Sequence, residues 1–160
     1  MRKKRIQIFV YEYDSVLELP ESDQKLVFAA REASENAYAP YSKFQVGAAV
    51  LLGNGIVIKG NNQENVDYTD GLCAERVALF YANANYPNVK VKAMAVTAKN
   101  ANRQTKEPAL PCGSCRQAFV ETEVRFNHPI RLILDGAKNI MVVENAESLL
   151  PFAFKPDVLG

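Results

Sequence analysis

Segments of helical periodicity alternate with short apolar runs along this chain, and that alternation restricts the fold more than any other feature. Pro20, Glu21 and Asp23 mark a helix start, with proline early and acids in the first turn. Leu26, Ala29, Ala30, Ala33 and Ala37 then recur at helical spacing, and Pro40 stops that helix. Residues 45–52 are an apolar run, followed by Gly53-Asn54-Gly55 and a second run at 56–59. Asn-Gly between two such runs predicts a hairpin with positive φ at both turn positions. A second helix begins near Cys73, with Ala74, Val77, Ala78, Tyr81 and Ala82 on one face, while Leu79 and Phe80 point to burial beyond that face. Residues 91–98 read as a strand, the polar stretch 99–108 as a loop, and a third helix starts at Pro111-Cys112. Residues 131–134 and 140–143 are two more strands, separated by Asp135-Gly136. The order α-β-β-α-β-α-β-β implies a mixed sheet with helices on its faces, an α/β sandwich in one domain.

Length and composition agree with one globular unit. The chain has 160 residues, 48% of them hydrophobic and 23% charged, enough for a substantial core. Its formal charge is +1, so no broad field draws it to nucleic acid. No stretch approaches the roughly 20 apolar residues of a membrane span. The start, Met1-Arg2-Lys3-Lys4-Arg5, is basic, but the apolar residues after it contain Gln7 and end at Glu12 and Asp14, so a signal-sequence core is missing. A cytoplasmic protein is expected, without nucleic-acid or membrane partners. Residues 6–13 alternate roughly like a strand and stand outside the later pattern. Residues 1–20 are accordingly an extension, at a sheet edge or a subunit interface, and 21–160 the main domain.

The chemistry gathers in Cys73-Ala74-Glu75 and Pro111-Cys112-Gly113-Ser114-Cys115. Three cysteines are odd in number, and the i, i+3 spacing of two suits metal or reactive chemistry in a reducing compartment better than a disulfide framework. At a helix start Cys112 and Cys115 project the same way, and free N–H groups there favour thiolates. Cys73 offers a third thiolate from the other helix start. Three protein ligands leave a zinc ion's fourth position open, as in catalytic sites. Arg76 is the candidate for offsetting the negative charge of three thiolates. Glu75, near the metal but not needed as a ligand, is placed to carry protons. A closed structural site, with His128 as a fourth ligand, is the competing reading of the same residues.

Five blocks in order resemble the small homotetrameric zinc-dependent cytidine deaminases: residues 38–49 (Tyr-Ala-Pro-Tyr-Ser-Lys-Phe-Gln-Val-Gly-Ala-Ala), 60–65 (Gly-Asn-Asn-Gln-Glu-Asn), 73–76 (Cys-Ala-Glu-Arg), 111–117 (Pro-Cys-Gly-Ser-Cys-Arg-Gln) and 149–154 (Leu-Leu-Pro-Phe-Ala-Phe). The resemblance covers about residues 26–159. It implies a three-layer α/β/α sandwich with a five-stranded mixed sheet, and one Zn²⁺ per chain on Cys73, Cys112 and Cys115. It further implies hydrolytic attack at C4 of cytidine or deoxycytidine. Glu75 receives a proton from water, passes one to N3 and helps to protonate the leaving ammonia. By the same resemblance Asn62 and Glu64 grip the ribose 3′-hydroxyl, with Phe44 nearby and Tyr68 on the ribose side. Backbone groups around Ala74 read the pyrimidine edge, and Phe154 stacks on the base. Such groups come from neighbouring subunits in the family, so a homotetramer with shared sites is implied. This chain departs from the pattern in residues 1–20, in Gln45 where proline is common, and in Asn61 where cysteine is common.

Three other functions compete. A blasticidin S deaminase-like enzyme shares the fold, but the Asn62/Glu64 pair argues against it. Editing of polynucleotides is disfavoured by near-neutral charge and by the lack of a basic, aromatic-rich channel. A non-enzymatic zinc-binding module requires His128.

Overall fold

A computed structural model describes residues 1–159. Its elements in chain order are β1 (Tyr11–Tyr13), α1 (Glu21–Ser34), β2 (Phe44–Leu52), β3 (Val57–Asn61), α2 (Ala74–Asn85), β4 (Val91–Asn100), β5 (Arg103–Gln104), α3 (Gly113–Phe126), β6 (Arg131–Asp135) and β7 (Ile140–Val143). One sheet runs β1-β7-β6-β4-β2-β3, with β5 added on β4. Every pairing is antiparallel except β4 with β6, whose crossover carries α3. The three layers follow from strand alternation. Ala48, Val50, Met94, Val96, Leu132 and Leu134 face one way and pack with Ala78, Leu79 and Phe119 of α2 and α3. Ala49, Ala93, Ala95, Ile133 and Val142 face the other way, against Leu26, Val27 and Ala30 of α1. Both faces are covered, so the central strands read as continuous apolar runs rather than as alternation. No helix is long and apolar enough to cross a membrane among the described residues.

The α/β/α sandwich is as expected, and five of its strands are those read from the sequence. The sheet has seven strands rather than five. Within the expected polar loop, Ala101 and Asn102 turn at φ 47° and 62°, and β5 folds back on β4. The other addition is β1, confined to Tyr11–Tyr13 rather than 6–13, which pairs with β7. The first helix ends at Ser34, short of Ala37, where the Ser34 hydroxyl donates to the Arg31 carbonyl at 2.7 Å. At the β2–β3 turn only Gly55 has positive φ, at 87°. There the Gly55 N–H donates to the Leu52 carbonyl at 3.0 Å, giving a three-residue turn that closes on a left-handed glycine.

Two glycines set the distance between layers. A Cβ at Gly47 would lie 2.0 Å from the Ala30 carbonyl oxygen, so α1 rests directly on β2. A Cβ at Gly60 would lie 2.6 Å from the Ala78 nitrogen and 2.8 Å from the Ala74 oxygen, so the first turn of α2 rests on β3. At the sheet's other end the fully buried Asp135 accepts two bonds from Arg31 at 2.8 Å, one from Thr97 at 2.9 Å and one from Gln104 at 2.8 Å. This network ties α1, β4, β5 and β6 together and satisfies a charge that would otherwise be costly to bury.

Candidate active site

Cys73 is the residue before α2 and Cys112 the residue before α3, so the two helices present their N-termini to one spot. Their sulfurs are 3.8 Å apart, Cys112 and Cys115 are 3.5 Å apart, and all three lie within 4.8 Å of one another. Tetrahedral zinc with Zn–S bonds of about 2.3 Å holds its sulfurs about 3.8 Å apart. The trio therefore has the spacing of three corners of one zinc tetrahedron. Its acid–base chemistry fits a cation as well. A hydrogen bond from the Cys115 thiol, helped by the Arg76 guanidinium, lowers Cys73 to about 5. The proton retained in that bond, together with burial, pushes Cys115 up. Arg76 Nη2 stands 3.9 Å from Cys73 Sγ.

No fourth histidine, cysteine or carboxylate joins the trio among the described residues. His128 follows the far end of α3, whose 14 residues put about 20 Å between its two ends. Its ring Nδ1 lies 2.7 Å from the Pro129 carbonyl oxygen. A closed Cys₃His site is thereby excluded for His128, and Cys73 and Cys112 line a pocket. That pocket has a volume of about 470 Å³ and contains Phe44, Asn62, Glu64, Tyr68, Cys73, Glu75, Arg76 and Cys112 in its wall. Glu75, one residue into α2, is only 5% exposed. Burial, then the negative charge at Cys73, raises its pKa, so its carboxyl holds a proton more readily than an exposed one.

The match to known families now decides the matter. The sequence model described as "Cytidine and deoxycytidylate deaminase zinc-binding region" matches residues 20–126. The chain belongs to this family. Cytidine deaminase of Halalkalibacterium halodurans is 49% identical over 98 residues, which are 61% of this chain and 70% of the relative. Cytidine deaminase of Sporosarcina psychrophila is 38% identical over 137 residues, 86% of this chain and 94% of the relative. The crystal structure of cytidine deaminase from Burkholderia pseudomallei superposes with a TM-score of 0.70 at 39% identity, covering 81% of this chain and 97% of that one. As a member of the zinc-binding deaminase family, the chain has in its three cysteines a group that fits one zinc per chain.

The remaining expected residues divide into two groups. Glu64 accepts from the Tyr41 N–H at 2.9 Å, the Ser42 N–H at 3.3 Å and the Ser42 hydroxyl. The hydroxyl bond is the first cause of a pKa held below the usual carboxylate range. Asn62 accepts from the Val46 N–H at 2.7 Å and donates to the Phe44 carbonyl at 2.9 Å, bracing the strand that carries Phe44. Tyr68 meets Tyr41 edge-on, ring centroids 6.4 Å apart. Ala74, the first residue of α2, is buried. Phe154 is the exception: it is 61% exposed and stands outside the wall of its own chain's pocket. Its backbone is held by Gln117, which donates to the Phe154 carbonyl at 2.7 Å and accepts from the Phe154 N–H at 3.2 Å. Sequence reasoning gave no role to Ser42, Gln117 or Leu110, although Ser42 and Gln117 lie within quoted blocks and Leu110 adjoins Pro111.

Proposed function

We propose that this chain hydrolyses cytidine and deoxycytidine to uridine and deoxyuridine with release of ammonia. The observation carrying this reading is the convergence of two helix N-termini, where three sulfurs spaced for one tetrahedral ion share a pocket with a buried carboxyl. Held by Cys73, Cys112 and Cys115, zinc supplies Lewis acidity, which lowers the pKa of water from about 15.7 toward 7. Glu75 takes a proton from the attacking water and delivers one to N3 of the ring. The water oxygen bonds to C4 and the C4–N4 bond breaks. One water proton ends on N3 and the other leaves with ammonia. Arg76 offsets the thiolate charge beside Cys73, and the backbone around Ala74 meets the pyrimidine edge.

Glu64 receives the ribose 3′-hydroxyl, already oriented by Ser42 and the two amides. Asn62 keeps one N–H and one lone pair after its two bonds to β2, enough to share that hydroxyl. Phe44 and Tyr68 flank the sugar. Phe154, exposed on its own subunit, stacks on the base in a neighbouring subunit's site within a homotetramer. Three free thiols suit a reducing compartment, which supports a role in pyrimidine salvage in the cytoplasm.

Loss of cytosine absorbance on mixing zinc-loaded protein with cytidine tests the reading, with Glu75→Gln as the control. Conversion by the wild type alone supports both reaction and proton carrier. An inert wild type with one zinc per chain overturns the substrate assignment, and an active Glu75→Gln overturns the carrier.

A further inference from the structure

β1 is the outermost strand of the sheet, paired with β7 on one edge and with nothing on the other among the described residues. Leading into it, Ile6, Ile8, Phe9, Val10 and Tyr11 are exposed, Phe9 at 75%. The family match begins at residue 20, so β1 lies outside the matched region. A free strand edge beside exposed apolar side chains is a template for another strand.

The surrounding charges say which strand. Arg2, Lys3, Lys4 and Arg5 precede the apolar stretch, and Glu12 and Asp14 follow it. All six are exposed, and none enters an ion pair among the described residues. A segment with a basic start, an apolar middle and an acidic end complements itself when run antiparallel. Because N–H and C=O groups alternate between a strand's two edges, antiparallel neighbours across one edge have like parity. Centring the pair on Ile8 sets Arg2 against Asp14, Lys4 against Glu12, Ile6 against Val10 and Ile8 against itself. On the opposite face Lys3 and Arg5 meet Tyr13 and Tyr11, and Gln7 meets Phe9. Centring on Phe9 sets Glu12 against Ile6, and centring on Gln7 sets Lys4 against Val10. Only the Ile8 centre, among these three, matches every charge and every aliphatic side chain on the even-numbered face. The acids at one end also disfavour a polyanion as partner.

We propose that residues 2–14 pair antiparallel with the same residues of a second copy across the free edge of β1, centred on Ile8. Two sheets then become one between copies that no other contact joins, and the proposal does not depend on the deaminase reading. Light scattering of the zinc-loaded protein reads the assembly mass, and zinc content of one per chain verifies that each variant is folded. Deletion of residues 1–10 halves the mass. Glu12→Lys sets lysine against Lys4 at two symmetry-related places and raises the dissociation constant about tenfold or more. Lys4→Glu added to Glu12→Lys restores assembly. On oxidation Ile8→Cys gives a disulfide-linked dimer, since cross-strand Cα separations of about 5.5 Å suit that bond. A deletion variant of wild-type mass, or a double variant that stays dissociated, overturns the proposal. So does unchanged mass with retention of the wild type alone on phosphatidylserine vesicles, which would make an anionic surface the partner.

Discussion

The contact between Gly60 and the first turn of α2 makes the site sensitive to a single methyl group. In Gly60→Ala the new Cβ would meet the Ala78 nitrogen at 2.6 Å, the Ala74 oxygen at 2.8 Å and the Ala78 Cβ at 2.9 Å. Two of these atoms are backbone, so no side chain can swing aside. Reaching ordinary contact at 3.4 Å moves this turn outward by about 0.5–0.8 Å. The same turn carries Glu75, and Cys73 immediately precedes it. Overpacking of this kind costs about 1–3 kcal/mol, lowering Tm by about 3–10 °C for a chain of this size. A misplacement of about 1 Å can cost about a hundredfold in rate, so kcat/KM for cytidine should fall by about 10–50-fold. Gly55→Ala is the control. Its Cβ would meet nothing within 4 Å, but φ is 87° there, so strain costs about 1 kcal/mol. That variant should lose stability and keep its activity. Steady-state kinetics and thermal melts on both variants make the comparison. Wild-type kcat/KM in Gly60→Ala, or an equal loss in Gly55→Ala, would refute the argument that this contact positions the chemistry.

Glu75→Gln should retain one zinc per chain and lose about 10²–10⁴-fold in kcat, the range of a lost general acid–base; metal analysis beside turnover checks it. Cys112→Ala should lose zinc and melt at lower temperature together, and chelation of the wild type should reproduce the lower melt. Zinc affinity should fall as pH drops, because each thiolate ligand regains a proton; a chromogenic-chelator titration independent of pH would count against thiolate ligation. Glu123→Ala should leave the N–H groups of Ile130 and Glu147 unpaired, which the carboxylate now receives at 2.6 and 2.9 Å, while the Ala146 N–H keeps the Ile130 carbonyl at 3.1 Å. The expected cost is about 3 kcal/mol by denaturant unfolding, with kcat/KM unchanged.

Much of the fold was legible because local signals and tertiary demands coincide. Pro20 with two acids marks α1, and the apolar runs at 45–52 and 140–143 lie in strands covered on both faces, which a continuous apolar run signals directly. What was missed has small local signal. β5 is Arg-Gln, two polar residues that pair with β4 only because Ala101 and Asn102 take left-handed φ values. Asn-Gly at 54–55 promised two such values, and the extra loop residue Gly53 reduced the need to one. α1 stops at Ser34 although alanines continue the helical pattern, because the chain then turns to bring Tyr38 beside Gln63.

The site divides along the same line, between constraints that act through spacing and those that act through direction. Zinc ligation is a constraint on spacing: two cysteines one turn apart and a third at another helix start leave few arrangements, and the sulfurs meet as that reasoning requires. Glu75 shares the privilege, since it lies two positions after Cys73 at the same helix start. Asn62 shows the other case. Its amide has its type and position legible in the sequence, yet two of its hydrogen-bonding groups are committed to β2, because the hairpin returns the chain beside Val46. The strand that carries Phe44 is therefore braced by the same side chain that lines the pocket. Phe154 carries this furthest. Gln117, two residues beyond Cys115 on α3, holds the Phe154 backbone through both its amide groups. The helix that presents two zinc ligands at its start thus also fixes an exposed aromatic, so displacing α3 would disturb the metal centre and the docking of the C-terminal segment together.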